Sequence, residues 1–156
     1  METTRHYTAT VYIVNDGATA LHDHKRLDMW LPPGGHIDRD ELPHEAAIRE
    51  VSEETGLDVT LLAARTGASS ATVEPLPEPA HLQLADVNVC DGHVGHQHID
   101  FVYFGSVEHR DIQPEDGEIE TWHWFTAAEL REDGDHLDSD VIAHGIEAIK
   151  AVENDR

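Results

Sequence analysis

The chain has 156 residues, a length typical of one domain and sufficient to bury a core without disulfide or metal staples. Its 32 Asp and Glu residues outnumber its 10 Lys and Arg residues, and the resulting formal net charge of -22 opposes binding to nucleic acids and anionic membranes. The single cysteine, Cys90, excludes an internal disulfide framework and a multi-cysteine zinc site. We expect a single domain over residues 1–156.

The first half of the chain predicts a β-hairpin, a loop and a helix. Runs of β-branched and aromatic residues predict strands at 8–14, 18–21 and 29–31. Pro32-Pro33-Gly34-Gly35 then predicts a loop. A helix is expected from Pro43, a residue suited to the first turn, up to Gly56, which suits left-handed geometry at a helix end. Its apolar side is predicted to carry His44, Ala47, Ile48, Val51 and Thr55.

The second half predicts further strands and two helices. The strand candidates are residues 59–64, 82–89, 98–107 and 120–125. Thr126 and Glu129 form a capping-box pattern that predicts the start of a short helix. A closing helix is predicted at 139–152, where apolar residues form a stripe. That stripe comprises Val141, Ile142, Ile146, Ile149 and Val152.

Three carboxylates share one face of the first predicted helix. Glu50, Glu53 and Glu54 fall within a sector of about 100° at the helical rotation of about 100° per residue. Neighbouring like charges destabilise a helix, and Mg²⁺ offsets such repulsion because it prefers carboxylate and other oxygen ligands. A solvated acidic face is the alternative in so acidic a chain. Charge alone leaves both interpretations open.

The spacing of these residues matches a longer motif. Gly35 is followed after five residues by Glu41 and after seven more by the run RE-VS-EE-T-GL, Arg49 to Leu57. This segment resembles the Nudix box at every defined position. The resemblance of the box covers residues 35–57, and the order of strands and helices around it extends a weaker resemblance over most of the chain. The resemblance separates a metal site from a solvated face.

The Nudix resemblance implies an α/β fold, an α/β/α sandwich with a mixed β-sheet. It also implies Mg²⁺-dependent hydrolysis of a diphosphate bond in a nucleoside diphosphate derivative, with Mn²⁺ as a substitute for Mg²⁺. By position, Glu50, Glu53, Glu54 and the Gly35 carbonyl would bind metal. Glu41 and Arg49 would orient these ligands, as second partners commonly do at metal sites.

Hydrolysis also needs a group that takes the proton of the attacking water. Glu50 or Glu53 is the expected base, with Arg49 supporting it in the catalytic set. Outside the box, Glu118 is the candidate further metal ligand, because family members often place a glutamate shortly before a tryptophan such as Trp124. Glu115 and Glu120 compete for this role, and ordinary surface acids are the alternative for all three.

Two other functions are compatible with the resemblance. An isopentenyl diphosphate isomerase shares the fold, but its protonating site commonly involves cysteine, and Cys90 lies far from the box without a matching pattern. A nucleotide-sensing domain without catalysis would be expected to carry a damaged box. Every carboxylate of the box is intact here, which favours an active hydrolase.

Histidines and tryptophans give secondary signals. His93, His96 and His98 lie close in sequence and could bind zinc or copper, but we expect a solvent-exposed cluster among the 13 histidines. His98 and Asp100 share one side of an alternating strand and are weak candidates for substrate contacts. Two tryptophans, at 122 and 124, are expected in the core rather than stacked on a nucleobase.

Charge and hydropathy also suggest where the protein works. No apolar run reaches the roughly 20 residues that span a bilayer, and residues 1–6 lack a signal-peptide core. We expect a soluble cytoplasmic enzyme with no membrane or nucleic-acid partner. An acidic surface with only two lysines suits a salty, halophilic cytoplasm, since salt screens self-repulsion. Family members are often dimers, which leaves a homodimer open.

Overall fold

A computed structural model describes residues 2–24, 29–90, 92–115, 121–134 and 136–155, apart from the side chains of residues 89 and 90. The strands are β1 (Thr4–Asn15), β2 (Ala18–His24), β3 (Met29–Leu31), β4 (Gly34–His36), β5 (Thr60–Leu61), β6 (His81–Cys90), β7 (His93–Ser106) and β8 (Thr121–Thr126). The helices are α1 (Pro43–Thr55), α2 (Ala127–Glu132) and α3 (Ser139–Asn154). Among these described residues, no helix is both long and apolar enough to cross a membrane.

The described strands form one mixed eight-stranded sheet centred on β1. β1 runs parallel to β7 from the pair Thr4 and His96 to the pair Val14 and Ser106. It runs antiparallel to β2 and β4. Strands β5 and β6 pair with β7. Strands β3 and β8 pair with β2. The parallel pair forms the centre of the sheet, where β-branched and aromatic residues can be buried on both faces.

The sheet has a hydrophobic core on each face. On one face, α1 packs its buried residues Ala46, Ala47 and Val51 against a cluster that includes Val11 and Tyr103. On the other face, α3 belongs to a second cluster, which comprises Tyr12, Val14, Leu21, Val102, Phe104, Phe125, Leu130, Leu137, Val141, Ala148, Ile149 and Val152. Successive residues of a strand point to opposite faces, which explains how neighbouring β1 residues supply both cores. The predicted α/β/α sandwich with a mixed sheet is confirmed.

The structure confirms the predicted ends of two helices. Gly56 ends α1 with φ at 72°, the left-handed geometry expected of a glycine there. The Thr126 hydroxyl accepts a hydrogen bond from the Glu129 N–H, and the Glu129 carboxylate accepts one from the Thr126 N–H. These reciprocal bonds form the predicted capping box at the start of α2.

Several boundaries differ from the predictions. Gly34 and Gly35 belong to β4 instead of a loop, because their backbones pair with Thr10 and Ala9 of β1. Ile48 is 42% exposed instead of facing the core of α1. β1 and β7 begin several residues earlier than expected. The backbones of the two strands pair with each other in this polar stretch, which precedes the apolar residues used for the prediction. The predicted strand 59–64 is reduced to β5, and residue 120 lies outside the described residues.

Candidate active site

The box residues are held by β4, a strand of the sheet, and by α1, which packs next to it on one face of the sheet. A side chain on Gly35 would overlap the Glu50 carboxylate, and one on Gly34 would overlap the Ala9 carbonyl oxygen. Both positions therefore require glycine if β4 is to pair with β1 while Glu50 lies against the Gly35 backbone. This close approach brings the Gly35 main chain and the Glu50 carboxylate together.

Arg49 is the centre of a charged network on α1. Its Nε and Nη2 donate to the two carboxylate oxygens of Glu41 over 2.7 and 3.0 Å, a bidentate pair. Its Nη1 donates to Glu50 over 2.8 Å and to Glu53 over 3.1 Å. Its Nη2 also donates to the His36 carbonyl oxygen over 3.0 Å. One guanidinium thus ties the N-terminal loop of α1, the helix face and β4 into a single unit.

This network shifts the pKa values of Glu41 and Arg49. Hydrogen bonds from Arg49 hold the pKa of the Glu41 carboxyl below its usual range. The hydrogen bonds to Glu41, followed by the interactions with Glu50, raise the pKa of Arg49 far above its already high value. Arg49 therefore stays charged and Glu41 stays ionised at neutral pH, so the pair keeps a fixed geometry.

The three box glutamates differ in their surroundings. The Glu50 side chain is 14% exposed, whereas that of Glu53 is 48% exposed. Glu54 accepts a long hydrogen bond of 3.4 Å from the Gly34 N–H. The carboxylate oxygens of these three residues are not all within 4.8 Å of one another. In the described part of the chain, one group of possible metal ligands is that close together, the histidines at 6, 36 and 96. The glutamate side chains are nevertheless grouped around Gly34, Gly35 and Arg49.

A segment after β7 lies against the end of α1. Glu115 donates its backbone N–H to the Glu53 carbonyl oxygen over 3.0 Å and accepts a hydrogen bond from the Ser52 hydroxyl over 3.2 Å. An open cleft of about 480 Å³ lies between this segment and α1, lined in part by Arg49, Glu53 and Glu115. Glu118 and Glu120 lie outside the described residues. Of the three acids predicted outside the box, Glu115 is thus placed beside the carboxylate helix.

His98 and Asp100 lie on the opposite face of the sheet, the face covered farther along by α3. Asp100 is buried and accepts hydrogen bonds from Thr8, Thr10 and Gln83 over 3.0, 2.8 and 3.3 Å. Burial raises the pKa of the Asp100 carboxyl, with these hydrogen bonds acting against the rise. Burial also lowers the pKa of His98, as do the neighbouring histidines 36, 96 and 6. The two side chains share one face, as strand alternation predicted.

The structure rearranges the predicted histidine cluster. His93, His96 and His98 are partly buried instead of exposed, since β6 runs alongside them. His96 and His98 instead group with His6 and His36, at ring-centroid distances of 4.6 to 5.1 Å between neighbours. The sequence could not indicate this group, because it depends on the parallel register of β1 with β7 and on β4 being a strand.

The tryptophans of β8 pack against the core on the α1 face but remain partly exposed. The Trp122 ring lies 4.8 Å from the His22 ring. Trp124 donates its indole N–H to the Arg110 carbonyl oxygen over 3.3 Å, and the Arg110 guanidinium lies 5.4 Å from its ring centre. Both positions agree with the predicted packing role.

A mixed sheet between two helical layers defines the fold as an α/β/α sandwich, and one of its helices carries the network of arginine and glutamates. The sequence matches the family model of the NUDIX domain over residues 4–145. A NUDIX-family hydrolase from Clostridium perfringens is 33% identical, covers 96% of this chain and 99% of its own, and superposes with a TM-score of 0.80. The chain therefore belongs to the Nudix hydrolase family.

Other relatives are more distant. The MutT protein from Methanosarcina mazei Go1 is 18% identical, with a TM-score of 0.68 over 100% of this chain and 99% of its own. It shares the fold. The Danio rerio protein named m7GpppN-mRNA hydrolase NUDT17 is 48% identical over 33 residues, which span 21% of this chain and 11% of that protein. The chain thus aligns with about a tenth of this curated relative.

The chain is thus similar, over nearly its whole length, to a protein described as a hydrolase of this family. Nudix hydrolases act on small nucleotide derivatives and generally use a divalent metal.

Proposed function

We propose that the chain hydrolyses the diphosphate bond of a nucleoside diphosphate derivative with the help of Mg²⁺. The observation that carries this proposal is the arrangement of Glu41, Arg49 and Glu50 against Gly35, since a side chain at Gly35 would displace the Glu50 carboxylate. Because Gly35 has no side chain, its main chain is left uncovered next to several carboxylates. Such a group of oxygen atoms suits a hard cation.

The residues present fit such a cation. Glu50, Glu53 and Glu54 would hold it together with the Gly35 carbonyl oxygen, after rotation of glutamate side chains that have several free torsions. Bound Mg²⁺ supplies stabilisation of the charge that develops on the phosphoryl oxygens and lowers the pKa of water. Mn²⁺ has similar preferences and is expected to replace it.

Arg49 and Glu41 are positioning residues in this scheme. The bidentate pair fixes the guanidinium, and the guanidinium in turn fixes Glu50 and Glu53. Glu53 is the better placed of the two candidate bases, because its side chain is 48% exposed and lines the open cleft. It would accept the proton of the water that attacks phosphorus. Glu118 stays a candidate further ligand.

The broader setting is also part of the proposal. We propose one domain over residues 1–156, acting in a salt-rich cytoplasm, and a homodimer stays open as its assembly. At a net charge of -22, the chain would repel a free anionic nucleotide, so the substrate is expected to arrive as its magnesium complex. Neither nucleic acid nor membrane is an expected partner.

The decisive experiment measures phosphate or nucleotide release from a panel of diphosphates, at about 0.1 M and at molar KCl, with Mg²⁺ or Mn²⁺. The panel contains ADP-ribose, dinucleoside polyphosphates, oxidised nucleoside triphosphates, sugar nucleotides and a cap dinucleotide. Turnover should require the metal and fall by about 100-fold or more in Glu53→Gln. Glu108→Gln removes an exposed carboxylate outside the box and is the matched control. Full activity of Glu53→Gln, or activity that survives EDTA, would contradict the proposal.

A further inference from the structure

Three strands bring histidines together at one end of the sheet. His6 lies on β1, His36 on β4 and His96 on β7. One ring nitrogen from each lies within 4.8 Å of those of the other two. The pairing register accounts for this, since Thr4 pairs with His96 and Thr8 pairs with His36, on either side of His6 along β1. These side chains therefore share one face of the sheet.

We propose that the three-histidine cluster (His6, His36 and His96) binds a divalent transition metal ion such as Zn²⁺, Co²⁺ or Ni²⁺. Imidazole nitrogen suits these ions, whereas Mg²⁺ prefers oxygen. Three protein ligands leave further coordination positions to water or to a small anion. His6 and His36 are exposed and His96 is partly buried, so an ion can reach the cluster from solvent.

The contacts within the cluster resemble those of a ligand set. Nδ1 of His6 lies 3.3 Å from Nε2 of His36, a distance typical of two nitrogens that share one ion or one proton. The Thr4 hydroxyl lies 2.8 Å from Nδ1 of His96 and donates to the Gly95 carbonyl oxygen over 3.2 Å. When its hydrogen is so engaged, this hydroxyl can accept the N–H of the His96 tautomer that carries its proton on Nδ1. The Nε2 lone pair of His96 is then free for a metal.

His98 adds a fourth imidazole beside the cluster. Its ring centroid lies 5.1 Å from that of His36 and 5.0 Å from that of His96. It is therefore close enough to support the cluster or to replace one of its members. The chain's net charge of -22 raises the local concentration of any cation near the surface, which favours occupancy.

The cluster is separate from the carboxylate site, although the two meet at β4. The side-chain direction of Gly35 points to Glu50 on the α1 face, whereas His36 follows the opposite face with Thr8. The two sites therefore select different ions. A soft or borderline ion goes to nitrogen and a hard ion to oxygen. The inference does not depend on the proposed hydrolytic function.

The experiment titrates Co²⁺ into the full chain, stripped of metals and kept in millimolar Mg²⁺ so that the carboxylates are occupied. The visible absorption of bound Co²⁺ should rise to one equivalent, and Zn²⁺ should displace it. His6→Gln and His96→Gln should each weaken binding by about 10-fold or more. His109→Gln, which removes an exposed histidine outside the cluster, should bind as the unaltered chain does.

Thermal unfolding in EDTA checks that each variant folds. If one variant does not fold, the remaining variant tests the proposal. The number of shifted imidazole N–H resonances in the Co²⁺-loaded unaltered chain gives an independent measure of the number of histidine ligands. Absence of binding by the unaltered chain, unchanged binding by the Gln variants, or binding that disappears in Glu53→Gln instead would each overturn the proposal.

Discussion

Arg49 makes five hydrogen bonds to four acceptor residues, and a lysine could not reproduce them. Its planar guanidinium reaches both Glu41 oxygens while also contacting Glu50, Glu53 and the His36 carbonyl. An ammonium group is a compact charge without this fork. The geometry of α1 relative to β4 therefore depends on the shape of this side chain as well as on its charge.

Arg49→Lys is expected to lower kcat/KM by about 10- to 100-fold and to raise the Mg²⁺ concentration needed for half-maximal activity. The charge is kept, but the bidentate bond to Glu41 is lost, so Glu50 and Glu53 are held less firmly. Steady-state rates over a Mg²⁺ titration measure both effects. Arg131→Lys, at the exposed end of α2, is the matched control. A lower rate with an unchanged Mg²⁺ requirement would argue against this positioning role.

The lowered pKa of Glu41 predicts a pH dependence of stability. A carboxyl whose pKa is lower in the folded state stabilises the protein fully above its unfolded pKa of about 4.3. That contribution is lost as the pH falls through the lower folded pKa. Glu41→Gln should therefore show a smaller loss of unfolding free energy between about pH 6 and pH 3 than the unaltered chain.

Urea unfolding at a series of pH values measures this difference. Glu108→Gln removes an exposed carboxylate that lies outside the Arg49 network, and serves as the matched control. An acid slope in Glu41→Gln that equals that of the unaltered chain would show that the ion pair contributes nothing to the acid sensitivity.

At the scale of elements, the end of α1 fixes the position of the box helix. Gly56 has φ at 72°, and a side chain there would overlap the Gln113 carbonyl oxygen. The Gln113 N–H donates to the Thr55 carbonyl oxygen over 2.8 Å, which closes the end of the helix. The segment carrying Glu115 is thereby held against α1.

Gly56→Ala is expected to destabilise the fold by at least about 1 to 2 kcal/mol, through the left-handed backbone and the overlap with Gln113. Thermal or urea unfolding measures it. Gly134→Ala is the control, since a side chain there meets atoms at 3.7 Å or more and the backbone is not left-handed. Equal stability of the two variants would contradict this account of the helix end.

The box helix could be predicted almost to its ends from sequence, because Pro43, the apolar spacing and Gly56 are local signals. The sandwich fold followed from the resemblance. The short strand β4 could not be predicted, since Gly34 and Gly35 become a strand only through pairing with β1. The grouping of His6 with His36 and His96 could not be predicted for the same reason. It depends on a parallel register between residues 92 positions apart, which no local pattern encodes.

At the scale of the whole molecule, the dominant property is the net charge of -22 on 156 residues. The 10 basic residues cannot neutralise 32 acids, and the Arg49 network uses one of them for three glutamates. The remaining carboxylates repel one another over the surface. Mutual repulsion destabilises a compact state more than an expanded one, because folding brings the charges closer together.

Salt should therefore stabilise this chain. The screening length falls from about 10 Å at 0.1 M to about 3 Å at 1 M salt, so we expect Tm to rise continuously between about 0.1 and 3 M KCl. Near the sequence isoelectric point of about 4.6, where the net charge vanishes, the same salt series should raise Tm much less. Differential scanning calorimetry at neutral pH and at this lower pH measures both slopes. A flat or falling Tm at neutral pH would exclude a halophilic adaptation, and equal slopes at the two pH values would assign the effect of KCl to something other than charge screening.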